Sequence, residues 1–349
     1  MRIGSIHLAE FRSYSALTYR PSPRLNLITG RNAQGKTNLL EAVAVLLTGR
    51  SFRTSRLAEI PMWGSEIAHV NGDLQMSDGV RTVRRTIHRQ PDGSWQTAGS
   101  GCPWARVIVF GWQDLAILNG APSARRGFID GFASRLFPGH LQALLRYRQV
   151  ITRRNHLLQA RVPQGRMAPW DEQLASLGME LIDRRRRAVA ALQTELARVY
   201  AALAGQGRKV EVSYRTVIGQ ATDPAVLLSA LESVRREEGR RRVTLVGPHR
   251  DDLGLELDGV DARSFGSRGE QRLLALALRL AEVIPVSEAA GTSPVLLLDD
   301  ALSELDPAVQ EHVLREVRSA EQVFLTSPTP LAVSGAQGWV VDRGGIAAA

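Results

Sequence analysis

A glycine-rich loop between an apolar strand and a helix constrains the fold of this chain most. The segment GRNAQGKT at 30–37 matches the pattern G-x-x-x-x-G-K-[ST] in full. It follows the apolar run RLNLIT and precedes a helix predicted from Lys36 to about Leu47, whose leucines and valines recur at helical spacing. This order of strand, loop and helix predicts a phosphate-binding loop in an α/β protein, against the alternative of a chance glycine-rich turn.

The lysine of this loop is unusual in its own chain. Only Lys36 and Lys209 are lysines, although lysine and arginine together number 44. A compact ammonium on a flexible stem fits between β- and γ-phosphate oxygens, whereas a planar guanidinium requires a flat bidentate partner. We therefore expect Lys36 to be a catalytic, phosphate-contacting residue.

The neighbouring loop residues follow from the same mechanism. Backbone N–H groups and the helix N-terminus would cradle the phosphates, and Gly30 and Gly35 would let the backbone come close. The hydroxyl of Thr37 would bind Mg²⁺. The predicted nucleotide-binding residues are Gly30, Arg31, Asn32, Ala33, Gln34, Gly35, Lys36, Thr37 and Asn38.

A phosphate loop needs a second element that holds the metal and orients a water molecule. The segment PVLLLDD at 294–300 is an apolar strand followed by two acids. Adjacent side chains on a strand face opposite ways, so we assign Asp299 to Mg²⁺ and Asp300 to the attacking water as a catalytic residue. The alternative is an ordinary strand end capped by acids.

The remaining patterns predict alternating strand and helix segments. The segment RIGSIHLAEF is typical of a half-buried strand, and VEVSYR is also typical of a strand. Residues 67–99 have the pattern of a meander of hairpins. From Ser123, taken as a helix cap, to about 204 the pattern is helical, with a break at Pro138 and two longer helices separated by VPQGRMAP. A further helix is predicted near 224–239, and PVLLLDD and QVFLTS are typical of a buried parallel sheet.

Composition narrows the class of protein. The formal net charge of +9 favours an anionic partner such as a nucleic acid, or reflects only a solvated basic surface. A single cysteine, Cys102, excludes an intrachain disulfide and is expected to be structural. Because no stretch has the roughly 20 apolar residues of a membrane helix, and the N-terminus has no signal-peptide core, we expect a cytoplasmic protein that does not bind membranes.

The order of the motifs resembles the ABC-type ATPases, in particular their DNA-repair branch with the structural-maintenance-of-chromosomes proteins. The segment FGSRGEQRLLALALRLAEVI from 265 and the acidic strand with SELD at 303–306 complete that order. A finer resemblance is to the RecF family of bacterial recombination and replication-repair ATPases. It rests on EFRSY, GRSFRTSR, RRGFIDGF, YRQVITRRNHLL and GPHRDDL, which span nearly the whole chain.

The resemblance implies an α/β fold, namely an ABC-type P-loop ATPase head. Its mixed sheet would be accompanied by an antiparallel β meander and interrupted by an inserted α-helical domain. The expected divisions are 1–122 for the N-terminal part of the head, 123–239 for the inserted domain, and 240–349 for the C-terminal part.

The resemblance also implies site residues. The signature motif, which would contact ATP held by a second subunit, comprises Ser267, Arg268, Gly269, Glu270 and Gln271. Ser303 and Asp306 would belong to a dimer-interface loop. Gln113, in FGWQDL, would contact the metal or its water, and Arg12 would touch the nucleotide.

Three departures from the family pattern change the expectations. Asp300 stands where most ABC proteins have a glutamate, and its shorter reach suggests slow turnover. Thr326 and Ser327 occupy the place of a switch histidine, so a histidine does not sense the γ-phosphate here. The insert of about a hundred residues is too short for a long coiled coil.

The function implied is an ATP-controlled DNA clamp. ATP and Mg²⁺ would bring two heads together as a homodimer that grips single-stranded, duplex or junction DNA near gaps, and slow hydrolysis would release it. Recombinase loading, replication restart, the SOS response and a RecR-type mediator partner are expected by the same resemblance. The alternatives are the ATPase subunit of a membrane transporter and a phosphotransferase acting on a small substrate.

Two arginine-rich segments of the insert remain open to two interpretations. RYRQVITRRN from Arg146 and DRRRR from Asp183 are either solvated helix faces or phosphate contacts on DNA. The sequence-based DNA candidates are Arg184, Arg185, Arg186 and Arg187.

Overall fold

The architecture consists of two units, in a computed structural model that describes residues 1–205, 207–331 and 333–349. The first unit comprises Met1–Leu115, Ala202–Gly205 and Arg272–Ala349, and the second comprises Ala116–Ala201 and Gln206–Gln271. The strands are β1 (Arg2–Phe11), β2 (Tyr14–Tyr19), β3 (Leu25–Thr29), β4 (Ile67–Met76), β5 (Gly79–Arg89), β6 (Trp95–Gly99), β7 (Val107–Phe110), β8 (Val210–Arg215), β9 (Asp252–Leu257), β10 (Val260–Asp261), β11 (Val295–Leu298), β12 (Gln322–Ser327), β13 (Ala336–Asp342) and β14 (Gly345–Ala348).

Both units also contain α-helices. They are α1 (Lys36–Thr48), α2 (Ala116–Asn119), α3 (Pro122–Leu136), α4 (His140–Gln159), α5 (Gln164–Ala204), α6 (Pro224–Ser233), α7 (Arg235–Arg241), α8 (Ala262–Phe265), α9 (Arg268–Leu280), α10 (Val283–Ala290) and α11 (Pro307–Glu316). Short 3₁₀ turns occupy Leu57–Glu59, Trp112–Leu115 and Val317–Ser319.

The first unit is built on two sheets. One has the order β2-β1-β4-β5-β6 and is antiparallel, and its β4 to β6 confirm the predicted meander. The other has the order β14-β13-β3-β12-β11-β7, with parallel pairing throughout except at the edge strand β14. The prediction that PVLLLDD and QVFLTS belong to a buried parallel sheet is confirmed, since β11 and β12 pair in parallel and are buried along their whole length.

Helix α1 explains why the phosphate loop is held firmly. Its predicted range is confirmed to within one residue, and it packs against strands of both sheets. Every residue from Leu39 to Leu47 is buried, and all of them except Glu41 are apolar, as expected for a helix between two sheets. Its first residue therefore projects from a fixed position at the end of β3.

The second unit is mainly helical, with a small antiparallel sheet in the order β10-β9-β8. Side chains from α4, α5 and α6 form its core, including Leu144, Leu174, Ile182 and Leu227. Strand β8 confirms the prediction for VEVSYR.

Several predicted helix boundaries were wrong, and each has a local reason. Helix α3 begins at Pro122 after Ala121, because proline suits the first helical position, so Ser123 is not its cap. Helix α5 includes Pro169, which removes only one hydrogen bond near the start of a 41-residue helix. The helix predicted at 224–239 is two helices, α6 and α7, interrupted at Val234.

Candidate nucleotide-binding site

The backbone of the phosphate loop follows directly from its glycines. Gly30 and Gly35 have φ values of 147° and 115°, which side chains other than glycine rarely adopt. A Cβ atom at Gly30 would lie 2.3 Å from the carbonyl oxygen of Val341, and one at Gly35 would lie 2.9 Å from the Tyr14 hydroxyl. The Tyr14 hydroxyl donates a hydrogen bond of 3.0 Å to the carbonyl of Gly35. The loop is thus fixed on both sides.

Lys36 lies inside this loop. Its side chain is buried, with only 9% of the residue exposed. Its Nζ donates to the carbonyls of Gly30 and Arg31 at 2.6 and 3.0 Å. Burial lowers the pKa of its ammonium, and the carboxylates of Asp300 and Asp299 oppose that shift. The ammonium therefore rests on two backbone carbonyls, which a phosphate could replace.

Two threonines bracket the first of the paired acids. The Thr37 hydroxyl lies 2.9 Å from both carboxylate oxygens of Asp299, and the Thr326 hydroxyl donates to Oδ1 at 2.9 Å. Burial raises the pKa of Asp299, and the two hydroxyls only partly compensate. The carboxylate is thus an under-neutralised buried anion beside the phosphate loop, a suitable position for a cation.

Asp300, the second acid, has a left-handed backbone conformation. Asp300 has φ 53°, and its N–H donates to the Thr326 hydroxyl at 2.8 Å. Its exposed carboxylate accepts a hydrogen bond of 2.5 Å from Ser303. Both acids follow the end of β11, so the predicted alternation along a strand was wrong. A left-handed turn separates the two carboxylates instead.

Thr326 is a site residue that sequence reasoning noted only as a departure. It accepts from the backbone of Asp300 and donates to Asp299, so one hydroxyl fixes both acids. Its strand, β12, lies between β3 and β11, which end in the phosphate loop and the acids. That central position is visible only in the strand order of the folded sheet, so the sequence offered no signal for it.

Glu41 is a second residue that the sequence analysis missed. It lies on α1, is fully buried, and accepts from Arg12 at 2.6 and 2.9 Å and from Ser51 at 2.6 Å. Arg53 donates to it at 3.3 Å and to Asn38 at 2.6 Å. One acidic residue in an otherwise apolar helix was the available signal. Arg12 is held by Glu41, and its contact with a nucleotide stays a prediction.

The remaining predicted contacts of the first unit lie near the acids. Gln113 is in the turn that follows β7, the strand next to β11, and its side chain lies over Gly111. Asp306 is the N-cap of α11, and the Ser303 hydroxyl donates a hydrogen bond to the Asp300 carboxylate. Their roles in metal binding and dimerisation stay predictions.

The predicted signature motif starts helix α9 in the second unit. The Ser267 hydroxyl accepts from the N–H of Glu270 at 3.2 Å, and the Glu270 carboxylate accepts from the N–H of Ser267 at 2.8 Å. This reciprocal pair is a capping box, which stabilises the start of α9. Glu270 also pairs with Arg208, and the amide of Gln271 donates to the carbonyl of Gly266 at 3.2 Å. Arg268 and Gly269 form the first helical turn.

The proposed DNA candidates on α5 require a correction. Arg185 is only 2% exposed and forms a bidentate pair with Asp130 at 2.8 and 2.9 Å. It also donates to the carbonyl of Pro248 at 2.6 Å and to Tyr214 at 3.2 Å. A guanidinium with these partners cannot reach a DNA phosphate. The run of four arginines hid this because helical periodicity buries one position in such a run.

The neighbours of Arg185 are also engaged. Arg184 pairs with Glu180 at 2.7 Å, and Arg187 pairs with Asp183 at 3.6 Å. Arg186 donates to the carbonyls of Ala221 and Gly219. These three arginines have partners on the protein but are not buried as Arg185 is, so their contact with DNA stays a prediction.

The donor set at Asp299 suits magnesium. Mg²⁺ is usually held by one or two carboxylates, a hydroxyl, water and substrate phosphates rather than by a complete protein cage. Thr37 and Asp299 supply a hydroxyl and a carboxylate oxygen at one point. In the part of the chain that the structure describes, no group of three or more His, Cys, Asp or Glu side chains that could hold a metal occurs.

The fold and this site define an ABC-type P-loop ATPase head. A family model described as the RecF/RecN/SMC N terminal domain matches residues 2–340. The chain therefore belongs to the RecF/RecN/SMC family. The sequence-based resemblance is confirmed.

Curated relatives give a finer comparison. The chain is 40% identical over 344 residues to the DNA replication and repair protein RecF of Symbiobacterium thermophilum, covering 93% of this chain and 91% of the relative. It is 35% identical over 364 residues to the protein of the same name from Desulforudis audaxviator, covering 99% of each chain.

Solved structures agree. The structure named "Structure of the recombination mediator protein RecF-ATP in RecFOR pathway" is 27% identical, with a TM-score of 0.88 over 100% of this chain and 97% of the other. An Smc head bound to the C-winged helix domain of ScpA has a TM-score of 0.58 at 15% identity, over 100% of this chain and 97% of the other, and shares the fold. Within the described residues, no helix is both long and apolar enough to cross a membrane.

Proposed function

We propose that this protein is an ATP-dependent DNA-binding protein of recombinational repair. Its ATP-driven dimer would clamp DNA at single-strand gaps or junctions, and slow hydrolysis would release it. The observation that carries the ATP-dependent part of the proposal is the set of hydrogen bonds that joins Thr37, Asp299 and Thr326 beside the buried ammonium of Lys36. The names of the relatives, DNA replication and repair protein RecF, support the biological setting.

ATP would bind with its phosphates in the 30–38 loop. The backbone N–H groups at the start of α1 would donate to phosphate oxygens, and Lys36 would leave the carbonyls of Gly30 and Arg31 to contact the β- and γ-phosphates. Arg12, fixed by Glu41, would add positive charge near the loop. The relative with 27% identity whose name includes ATP supports this assignment.

Thr37 and Asp299 would hold Mg²⁺, with Gln113 as a further contact. When bound, the ion would neutralise charge on the phosphate oxygens. Asp299 itself would gain from this arrangement, because its buried carboxylate has only hydroxyl partners. Thr326 would keep that carboxylate in position.

Asp300 would orient the attacking water. Its exposed carboxylate is directed by a left-handed backbone and by Ser303, while Thr326 holds its N–H. An aspartate reaches less far than the glutamate of most ABC proteins, so slow turnover is expected. The enzyme would use hydrolysis as a switch.

Dimerisation would depend on the signature segment at 267–271. The Ser267 hydroxyl and the first turn of α9, where Gly269 has open space in place of a side chain, would contact the γ-phosphate bound by the second chain. Ser303 and Asp306 would lie at the same interface. ADP lacks this phosphate, so ATP alone would favour closure.

The proposed partners are DNA, a second copy of the chain and a RecR-type mediator. The name of the structural relative places that protein in the RecFOR pathway, which supports a mediator partner here. Recombinase loading, replication restart and a part in the SOS response are the corresponding roles.

The test compares DNA affinity for gapped, duplex and single-stranded probes with ATP, with ADP and without nucleotide. We expect ATP to tighten binding to gapped DNA and Asp300→Asn to retain ATP and hold the dimer closed. Lys36→Ala should lose the stabilisation by ATP, which for the wild type is about 2.7 kcal/mol at a hundredfold excess over Kd. Equal DNA affinity in all nucleotide states would reject the clamp.

A further inference from the structure

Helix α4 has an unusual distribution of charge. Its 20 residues include Arg146, Arg148, Arg153 and Arg154 together with two histidines, and no aspartate or glutamate. An exposed helix usually carries carboxylates three or four residues from its cations, because such pairs stabilise it. The absence of any carboxylate leaves the cations of α4 without partners on their own helix.

One arginine of α4 has a structural role. Arg154 is 1% exposed and pairs with Asp171 at 2.7 Å and with Glu238 at 2.6 Å. It also donates to Thr244 at 2.9 Å. This residue fixes α4 to its neighbours in the second unit, so the helix presents the opposite face at a defined position.

The three other arginines of α4 are exposed. Among the described residues Arg146, Arg148 and Arg153 form no ion pair, and Arg153 lies over the Trp170 ring at 5.9 Å from its centroid. Aromatic stacking of this kind holds a guanidinium in place while leaving its N–H donors available. Three positive charges thus share one helix without neutralisation.

Other helices of the same unit differ in this respect. Arg187 on α5 pairs with Asp183 at 3.6 Å, and on α7 Arg240 and Arg241 pair with Glu237 at 3.8 and 2.7 Å. Each of these exposed arginines has a carboxylate on its own helix. These pairs depend on carboxylates of the same helix, which α4 lacks.

The exposed face of α4 also forms a shallow depression. It is lined by Leu145, Arg148, Gln149, Thr152, Arg153 and His156. From the first to the last of these, the helix rises about 16 Å, roughly half of one turn of B-form DNA. Arginine and glutamine side chains supply N–H donors of the kind that contact phosphate and sugar groups.

We infer that the solvent face of α4, with Arg146, Arg148 and Arg153, is a contact surface for the phosphate backbone of a nucleic acid. The inference rests on the proposed DNA-binding function and specifies where part of that binding occurs. A polyanion is the occupant because the face offers three unpaired cations and no carboxylate. Since phosphate contacts carry no base information, the surface would bind DNA independently of sequence.

The experiment uses the full chain with ATP and Mg²⁺ and labelled duplex and single-stranded DNA. In the triple variant R146Q/R148Q/R153Q we expect the Kd for every sequence to rise about tenfold or more at fixed salt. The slope of log K against log salt should become shallower by about two to three, since each lost phosphate contact contributes nearly one. Thermal melting should be unchanged, because all three side chains are exposed.

The matched control is R187Q/R240Q/R241Q, which removes the same charge from carboxylate-paired arginines. It should change the slope by less than about one. Equal slopes in the two triples, or a wild-type slope in the α4 triple, would overturn the inference. Retained DNA binding with loss of polyglutamate binding would also overturn it in favour of an acidic protein. If wild-type protein binds no DNA, the proposed function itself fails.

Discussion

Four buried charged residues, two in each unit, are held in different ways. In the second, mainly helical unit, Arg185 and Arg154 are paired with carboxylates that are themselves buried. In the first unit, which contains the candidate nucleotide site, Lys36 donates to backbone carbonyls and Asp299 accepts from threonine hydroxyls. The first arrangement is complete, whereas the second uses neutral groups that a phosphate or a cation can replace. Charges that stabilise a fold and charges that await a ligand are thus distinguished by their partners.

The largest expected effect concerns the buried ion pair between Arg185 and Asp130. Hydrogen bonds from His140 and Arg185 lower the pKa of Asp130, although burial alone would raise it. Arg185→Leu would leave this carboxylate buried without its main partner, so we expect a loss of about 3–5 kcal/mol in the free energy of unfolding. Denaturant unfolding measures it.

Two variants serve as controls for this loss. Arg187→Gln, two residues away and 62% exposed, should cost less than about 1 kcal/mol. The double variant Arg185→Leu/Asp130→Leu should recover part of the loss, because no unpaired charge remains. A small cost for Arg185→Leu alone would show that the pair is no more structural than the nucleotide site.

A pH-dependent effect comes next and concerns His249 in the helical unit. Its Nε2 lies 3.1 Å from the carbonyl of Thr244, which can only accept, so Nδ1 accepts from Tyr147 at 2.8 Å. Burial lowers the pKa of His249 to about 4. The folded pKa is thus below the unfolded value, and the stability it contributes is present above pH 6.5 and lost as the pH falls to about 4.

The expected size of this contribution is about 3 kcal/mol over that window. Unfolding measured at several pH values should show a smaller decline for His249→Gln than for the wild type. Parallel curves for the two proteins would show that this histidine is not held neutral, and would weaken the view that the helical unit satisfies its polar groups internally.

The smallest expected effect concerns Asp299, whose hydroxyl partners a cation can replace. Burial raises the pKa of Asp299 in the folded protein, so its ionised form is less favourable there than in the unfolded chain. Its contribution to stability therefore falls as the pH rises from its unfolded pKa to its folded pKa. Asp299→Asn should therefore stabilise the ligand-free protein at neutral pH by on the order of 1 kcal/mol. It should also abolish Mg²⁺-dependent ATP binding.

Calorimetry of ATP binding with and without Mg²⁺, together with thermal melting, measures both changes. Asp300→Asn is the matched control, since its carboxylate is exposed and should leave ligand-free stability unchanged. Destabilisation by Asp299→Asn would place Asp299 with the structural charges instead.

Much of the nucleotide site was predictable because its chemistry lies in contiguous segments. The phosphate loop needs glycines at positions of positive φ, and Gly30 and Gly35 occupy them. The acids follow an apolar strand, and β11 pairs in parallel as its composition indicates. The roles of Thr326 and Glu41 were missed because their partners lie elsewhere in the chain. An acidic residue among the apolar residues of α1 marks Glu41 as unusual but does not identify Arg12 and Arg53 as its partners.

The sequence by itself determined the phosphate loop, the acidic strand, the meander and the family, because these depend on backbone conformation and periodicity within short segments. Only the tertiary structure decided which arginines are available. Arg185 and Arg187 are two residues apart on one helix, yet one is buried against Asp130 and the other is exposed. The physical reason is that burial and ion pairing depend on which distant segments pack against each side chain, and a run of like charges carries no record of them.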